Sequence, residues 1–142
     1  MPKSKHAVHF SSKTDLHATP QDFFDKLNEK YHFTLDPCAT KDNAKCKKFF
    51  TKEINGLHQS WKGERVFMNP PYGKDIMKWM RKAYMESRYG TLIVCLVPAR
   101  TDTYWWNTFS TKGRIEFIEG RLKFGNSKTS APFPSALVIF ND

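Results

Sequence analysis

Arg65-Val66-Phe67-Met68-Asn69-Pro70-Pro71-Tyr72-Gly73 is the stretch on which the fold turns. Val66, Phe67 and Met68 are three consecutive apolar residues, the pattern of a short strand covered on both faces. Asn69 and the paired prolines end that strand, because proline has no N–H to give to a ladder. Residues 74–88 then place Ile76, Met77, Met80, Ala83 and Tyr84 at helical spacing, on one inner side. Residues 92–97 return to an unbroken apolar run, Leu-Ile-Val-Cys-Leu-Val, the strongest buried-strand candidate in the chain. Strand, turn, helix and buried strand in that order form one α/β unit.

Working outward, Thr19-Pro20-Gln21-Asp22 reads as a helix start. Thr19 is placed to cap, Pro20 suits the first turn and Asp22 suits the positive end of the helix dipole. Phe23, Phe24, Leu27 and Tyr31 follow at helical spacing, with an end expected near Lys30. Residues 32–35 read as a short strand stopped by Asp36-Pro37, residues 49–51 as another, and residues 57–63 as a loop or helical turn. Downstream, residues 103–109 read as helix, and 115–118, 121–124 and 136–140 as strands, with a turn-rich loop over 127–134. Strands alternate with helices early and cluster at the end. The fold class expected is therefore α/β, with a mostly parallel sheet and an antiparallel C-terminal edge. One domain over residues 14–142 follows a loose basic arm over residues 1–13. Asp36 and Asn69 both directly follow apolar strands, and ligands of open α/β sheets sit beyond the carboxyl ends of the strands.

The whole chain has 142 residues, a length that suits one domain with a real core. Lys and Arg number 23 against 14 Asp and Glu, a formal charge of +9. That surplus fits a polyanionic partner such as nucleic acid, or simply a solvated basic surface. The 3 cysteines, Cys38, Cys46 and Cys95, are odd in number and form no C-x-x-C. Neither a disulfide framework nor a metal site is expected, and reduced thiols point to a cytoplasmic setting. Residues 1–9 hold no apolar run, so no secretory leader is expected. No apolar run approaches the length that spans a bilayer, so no membrane partner is expected.

Asn69-Pro70-Pro71-Tyr72 offers more than a turn. An aromatic exocyclic amine is a poor nucleophile, because its lone pair is delocalised into the ring. Two acceptors can hold its two N–H hydrogens and leave the lone pair aimed at an incoming methyl group. The Asn69 side-chain oxygen is one such acceptor and the Pro70 carbonyl is the other, with Pro71 stiffening the corner. Tyr72 provides a flat face for a base taken out of its stack. Read alone, the motif fits this corner or an ordinary turn, since Asn and Pro are common turn formers. The same two acceptors would also suit a glutamine side-chain amide or an adenine in RNA. A basic nucleic-acid-binding module without catalysis is a further alternative.

From Thr19 to Phe140 the chain resembles the phage-type DNA N6-adenine methyltransferases, the small Dam-like family. The residues that carry the resemblance run in order along the chain. They are Thr19-Pro20 with Phe23-Phe24, Leu35-Asp36-Pro37-Cys38-Ala39, Trp61, and residues 66–72. Then come residues 96–103 with Trp105-Trp106, residues 117–122, and Ala131-Pro132-Phe133-Pro134-Ser135. The resemblance implies a minimal Rossmann-like methyltransferase fold that uses S-adenosylmethionine on adenine N6 in DNA. It implies that Asn69, Pro70, Pro71 and Tyr72 are catalytic, and that Asp36, Pro37, Cys38 and Ala39, with Thr19 and Pro20 before them, hold the cofactor. A carboxylate such as Asp36 at a strand end can pair with the cofactor's cationic amino group, although capping the next turn is an ordinary role for it. Larger methyltransferases carry a glycine-rich turn here, whereas this chain has no glycine between Asp36 and Gly56.

For DNA contacts, Lys45, Lys47 and Lys48, beside Lys41, form the densest basic cluster. Lys74 opens the helix after the motif and faces either phosphate or solvent. Arg100 follows the buried strand on the same rim and suits either a phosphate or a salt bridge with Asp102. Trp105 and Trp106 are expected in the core, and Cys38 as a small packing residue. His17 is a weak candidate beside the cofactor segment. The residues leave the recognition sequence and the oligomeric state open.

Overall fold

The computed structural model describes residues 18–125 and 127–142. The basic arm over residues 1–13 and His17 lie outside them. A 6-stranded sheet in the order β2-β1-β3-β4-β6-β5 forms the centre. Its strands are β1 (Leu35–Asp36), β2 (Lys48–Phe49), β3 (Arg65–Met68), β4 (Leu92–Pro98), β5 (Arg114–Phe117) and β6 (Ser135–Phe140). Helix α1 (Gln21–Tyr31) precedes the sheet, α2 (Ile76–Ser87) joins β3 to β4, and α3 (Tyr104–Thr108) follows β4.

Strands β2, β1, β3 and β4 are parallel, while β6 runs antiparallel to β4 and β5 antiparallel to β6. The sheet is thus mostly parallel on one side, with its antiparallel pairings at the C-terminal side. The antiparallel C-terminal edge expected from the sequence is the pair β6 and β5, with β6 lying between β4 and the edge strand β5. Every residue of β6 is buried, whereas β5 is exposed at three of its four positions. A strand apolar on both faces is driven inside, and a strand carrying Arg114 and Glu116 is suited to the edge.

Side chains alternate between the two faces of the sheet, as a period of two requires. Leu35, Val66, Met68, Ile93, Cys95, Val97 and Val138 pack with Trp61, with Trp79 and Met80 of α2, and with Trp105 and Trp106. Phe67, Val94, Leu96, Leu137 and Ile139 pack on the other face with Phe24 and Tyr31 of α1. Two helices therefore cover one face and α1 covers the other. Both tryptophans expected in the core are there.

Four local expectations are corrected. Thr19 does not cap α1: Pro20 occupies the cap position without a side-chain bond, and the Thr19 hydroxyl is used elsewhere. The two short strands at 32–35 and 49–51 settle as Leu35–Asp36, which pairs with β3, and Lys48–Phe49, which pairs with β1. Met77 is 41% exposed while Trp79 is buried, because the helix begins at Ile76 and its inner stripe runs through Ile76, Trp79, Met80 and Ala83. Residues 121–124 form no strand. They belong to a folded-back loop in which the Ala131 N–H donates to the Leu122 carbonyl and the Gly125 N–H to the Ala18 carbonyl. No helix among the described residues is long and apolar enough to cross a membrane.

Strand β1 is the point where the sheet order reverses, with β2 on one side and β3 on the other. The crevice beyond the carboxyl ends of two such strands is the preferred ligand position in open α/β sheets. Asp36 ends β1, and Asn69 follows β3.

Candidate active site

Asn69 is held from three directions. Its main-chain carbonyl accepts from the Cys38 thiol at 3.2 Å. Its side-chain NH2 donates to the Thr19 hydroxyl at 3.0 Å, and its side-chain oxygen accepts from the Tyr72 hydroxyl at 2.8 Å. These bonds tie together the segment before α1, the end of β1 and the end of β3. The sequence separations are large, 50 residues to Thr19 and 31 to Cys38. With its NH2 on Thr19, the amide oxygen has a fixed direction, and an amide oxygen carries two lone pairs. Tyr72 engages one of them.

The corner that follows is stiff. Pro70 is buried and Pro71 half-buried, and each fixes its own φ. Gly73 then takes φ 120, a conformation that side chains rarely adopt, and its carbonyl accepts from the Ile76 N–H at 3.3 Å as the chain enters α2. Tyr72 is half-buried and its hydroxyl points inward, lying also 3.1 Å from the Leu96 carbonyl of β4. Its ring meets Phe133 at 5.6 Å and Phe124 at 6.1 Å, both edge-to-face. Burial pushes its phenol far above the ordinary range, so the hydroxyl stays protonated and can serve as a donor.

Asp36 is 5% exposed. One of its carboxylate oxygens accepts from the Lys45 N–H at 3.0 Å. Burial raises its pKa from 3.8 to about 6, opposed by the Lys45 and Cys38 N–H groups and by the Lys45 charge. Next in the chain, Pro37 and Ala39 are buried and Cys38 half-buried. The Ala39 N–H donates to Phe50 and the Phe50 N–H to Asp36, so the segment is pinned beside the end of β2. Burial lifts the Cys38 thiol well above its usual range, so it remains a neutral donor to Asn69.

No glycine-rich turn follows β1, but a glycine does reach it from elsewhere. A methyl group added at Gly56 would lie 2.1 Å from the Pro37 carbonyl oxygen, so only glycine allows this approach. The Gly56 carbonyl accepts from the Trp61 indole at 3.0 Å, which fixes the close-packed loop beneath the Asp36 segment.

Thr19, Asp36, Asn69 and Tyr72 thus meet at the carboxyl rim of the sheet, the juxtaposition that the sequence suggested. The family follows from the extent of the match. A family model described as DNA N-6-adenine-methyltransferase (Dam) matches residues 6–139. The chain belongs to this family. The DNA N-6-adenine-methyltransferase of Haemophilus phage HP1 is similar, at 30% identity over 140 residues, which is 91% of this chain and 80% of that protein. That of Escherichia phage T1 is 29% identical over 147 residues, 84% of this chain and 61% of that protein. The chain therefore spans about three fifths of the T1 relative it matches.

Around this candidate site of a Dam-family chain, the basic residues separate by position. Lys45 belongs to the rim. Its backbone N–H holds Asp36 and its ammonium donates to Gln21 at 2.9 Å. Burial lowers its pKa, against the pull of Asp36 and Asp25. Lys74 and Arg100 are exposed on the same rim, where Arg100 lies over the Phe133 ring at 5.8 Å and forms no ion pair with Asp102 among the described residues. Lys48 is elsewhere. It opens β2, pairs in register with Leu35, and forms an ion pair with Glu64 just before β3. That places it at the amino end of the sheet, away from Asn69. Lys47, the residue before it, is exposed. Phe133 and Arg121 entered the sequence reading only as part of the stretches that carry the resemblance, with no role given, and Phe124 only as the end of an expected strand. Lys26 and Lys123 were not singled out, and no local motif marks them.

Proposed function

We propose that this chain transfers a methyl group from S-adenosylmethionine to N6 of adenine in DNA, on a minimal Rossmann-like methyltransferase domain. Membership of the Dam family and the names of the two phage relatives support the reaction. The single observation that carries it is the threefold restraint on Asn69 at the carboxyl rim, which fixes an amide oxygen before any substrate arrives.

In this mechanism the Asn69 amide oxygen and the Pro70 carbonyl each accept one N–H of the adenine amine. Two fixed dipoles would then face the positive charge that develops on nitrogen as its bond to the methyl forms and the methyl–sulfur bond breaks, with S-adenosylhomocysteine as the leaving group and the surplus amine proton passing to water. The Tyr72 hydroxyl keeps the Asn69 oxygen in place, and the Tyr72 ring is the stacking surface for the extruded base. Pro71 keeps the corner rigid. Bound S-adenosylmethionine supplies an electrophilic methyl on a sulfonium, so the chain needs neither a metal nor a covalent intermediate.

The residues fit that cofactor. Asp36 is a buried carboxylate held by a backbone N–H, with its proton affinity raised by burial. A cationic amino group beside it would compensate the burial. Pro37, Cys38 and Ala39 shape the floor next to it, and Thr19-Pro20 closes the side toward Asn69. The direct test is product identity. Incubation with labelled S-adenosylmethionine and unmethylated DNA, followed by nucleoside analysis, should yield N6-methyladenine. Label found in RNA or on protein glutamine, with none in DNA, overturns the reading.

A further inference from the structure

Among the described residues, ion pairs join Lys48 with Glu64, Lys78 with Asp75, Lys82 with Glu86, and Arg114 with Glu116 and Asp142. Lys26, Arg121 and Lys123 form no ion pair among the described residues, and they converge on one concavity. It is a cleft of about 400 Å³ between the first turns of α1 and the loop that joins β5 to β6. Pro20, Phe23 and Leu122 supply its apolar surface. Asp22 also lines it, but one oxygen of that carboxylate is engaged by the Phe23 N–H at 2.9 Å.

The placement of the cleft follows from the topology. Helix α1 leads back into β1 through the left-handed turn at His32, so its start lies at the carboxyl ends of the strands. Strand β5 runs in the same sense as β4, so the loop leaving Phe117 emerges at that rim too. The Gly125 N–H bonds the Ala18 carbonyl at 2.8 Å and fastens the loop to the residue beside Thr19. The cleft therefore opens one residue from Thr19, whose hydroxyl holds Asn69. Arg121 is itself anchored, donating to the Ala131 carbonyl at 3.3 Å, and keeps further guanidinium donors for a ligand.

We infer that this cleft holds the phosphodiester backbone of DNA flanking the target adenine, with Lys26, Arg121 and Lys123 as the phosphate contacts. The inference rests on the proposed DNA reaction and deepens it. Three cations against the one carboxylate of Asp22, drawn from a helix and a loop that a backbone bond locks together, provide the fixed, net positive groove that a phosphate chain requires. The cluster at Lys47 and Lys48 does not, because Lys48 is neutralised by Glu64 and sits at the opposite end of the sheet.

The test compares two triple variants of the full chain that lose the same charge. In one, Lys26, Arg121 and Lys123 become Ala. In the other, Lys30, Lys62 and Lys112, which lie toward the amino ends of the strands, become Ala. Binding of an adenine-containing duplex is followed by anisotropy across a salt series, and S-adenosylmethionine binding by calorimetry. The cleft variant should lose about tenfold or more in DNA affinity, with a salt slope shallower by about 0.9 for each phosphate contact removed. Its cofactor affinity should be unchanged. The control variant should stay within about threefold of the unsubstituted chain. Equal losses in both variants, an unchanged slope in the cleft variant, or loss of cofactor binding there would each overturn the inference. Should the unsubstituted chain bind cofactor but no DNA, the DNA reading itself falls, and the cleft assignment with it.

Discussion

The Asn69 side-chain NH2 donates to the Thr19 hydroxyl across 50 residues of chain, at 3.0 Å, and Thr19 is 5% exposed. This bond sets which atom of the Asn69 amide is the oxygen that faces the site. Thr19 is thus a positioning residue for Asn69, in addition to bordering the proposed cofactor site. Thr19→Val keeps the shape and removes the acceptor. We expect a fall in kcat on the order of 10²-fold, the effect of a small misplacement of a catalytic group, with the DNA KM little changed. Thr19→Ser should restore most of it. Equal kinetics for the Val variant and the unsubstituted chain would remove Thr19 from this role.

Asp36 carries a pH signature in two observables. Its folded pKa, about 6, lies above the ordinary value of 3.8, so between those values the folded chain holds a proton that the unfolded chain has released. Stability from this group is therefore full below pH 3.8 and is lost as pH rises through about 6. The magnitude is on the order of 3 kcal/mol. Asp36→Asn should flatten that part of the pH–stability curve and stabilise the apo chain at neutral pH. Cofactor affinity should move the opposite way. It requires the carboxylate, so it should fall as pH drops below about 6, and should be weak at all pH values in the Asn variant. Denaturant melts between pH 3.5 and 8, and calorimetry between pH 5 and 8, check the two arms.

Gly56 provides a steric test of the proposed cofactor segment. A methyl there would stand 2.1 Å from the Pro37 carbonyl oxygen and 3.2 Å from the Trp79 ring, and the backbone carbonyl has little freedom to yield. Gly56→Ala should cost about 1–3 kcal/mol in thermal or denaturant unfolding. It should also weaken S-adenosylmethionine binding more than DNA binding, because Pro37 lies in the proposed cofactor segment. An unaltered cofactor affinity in a destabilised chain would detach Gly56 from the site.

Much of the architecture was legible because it is local. Residues 66–68 and 92–98 are apolar on both faces, and such strands are set by their own composition wherever they pair. The rim position of Asp36 and Asn69 followed from their places after strands. What was not legible depends on partners distant in sequence. Thr19 has the residue type of a helix cap, but Asn69 claims its hydroxyl. Leu122 and Phe124 alternate like a strand, yet the loop folds back on Ala131 and Ala18 and joins no sheet. Lys48 looks like part of a basic cluster until Glu64, 16 residues later, neutralises it. The cleft of Lys26, Arg121 and Lys123 is assembled from segments nearly a hundred positions apart, and no spacing rule could have found it.

The account stands or falls on the Asn69 amide oxygen. The decisive measurement is the single-turnover rate of methyl transfer to adenine in a short duplex by Asn69→Ala, with cofactor binding and thermal unfolding recorded on the same preparation. Loss of one fixed acceptor at developing charge should lower the rate by at least about 10²–10³-fold. The variant should still fold and still bind S-adenosylmethionine. A folded Asn69→Ala chain that methylates adenine at the unsubstituted rate would contradict the mechanism.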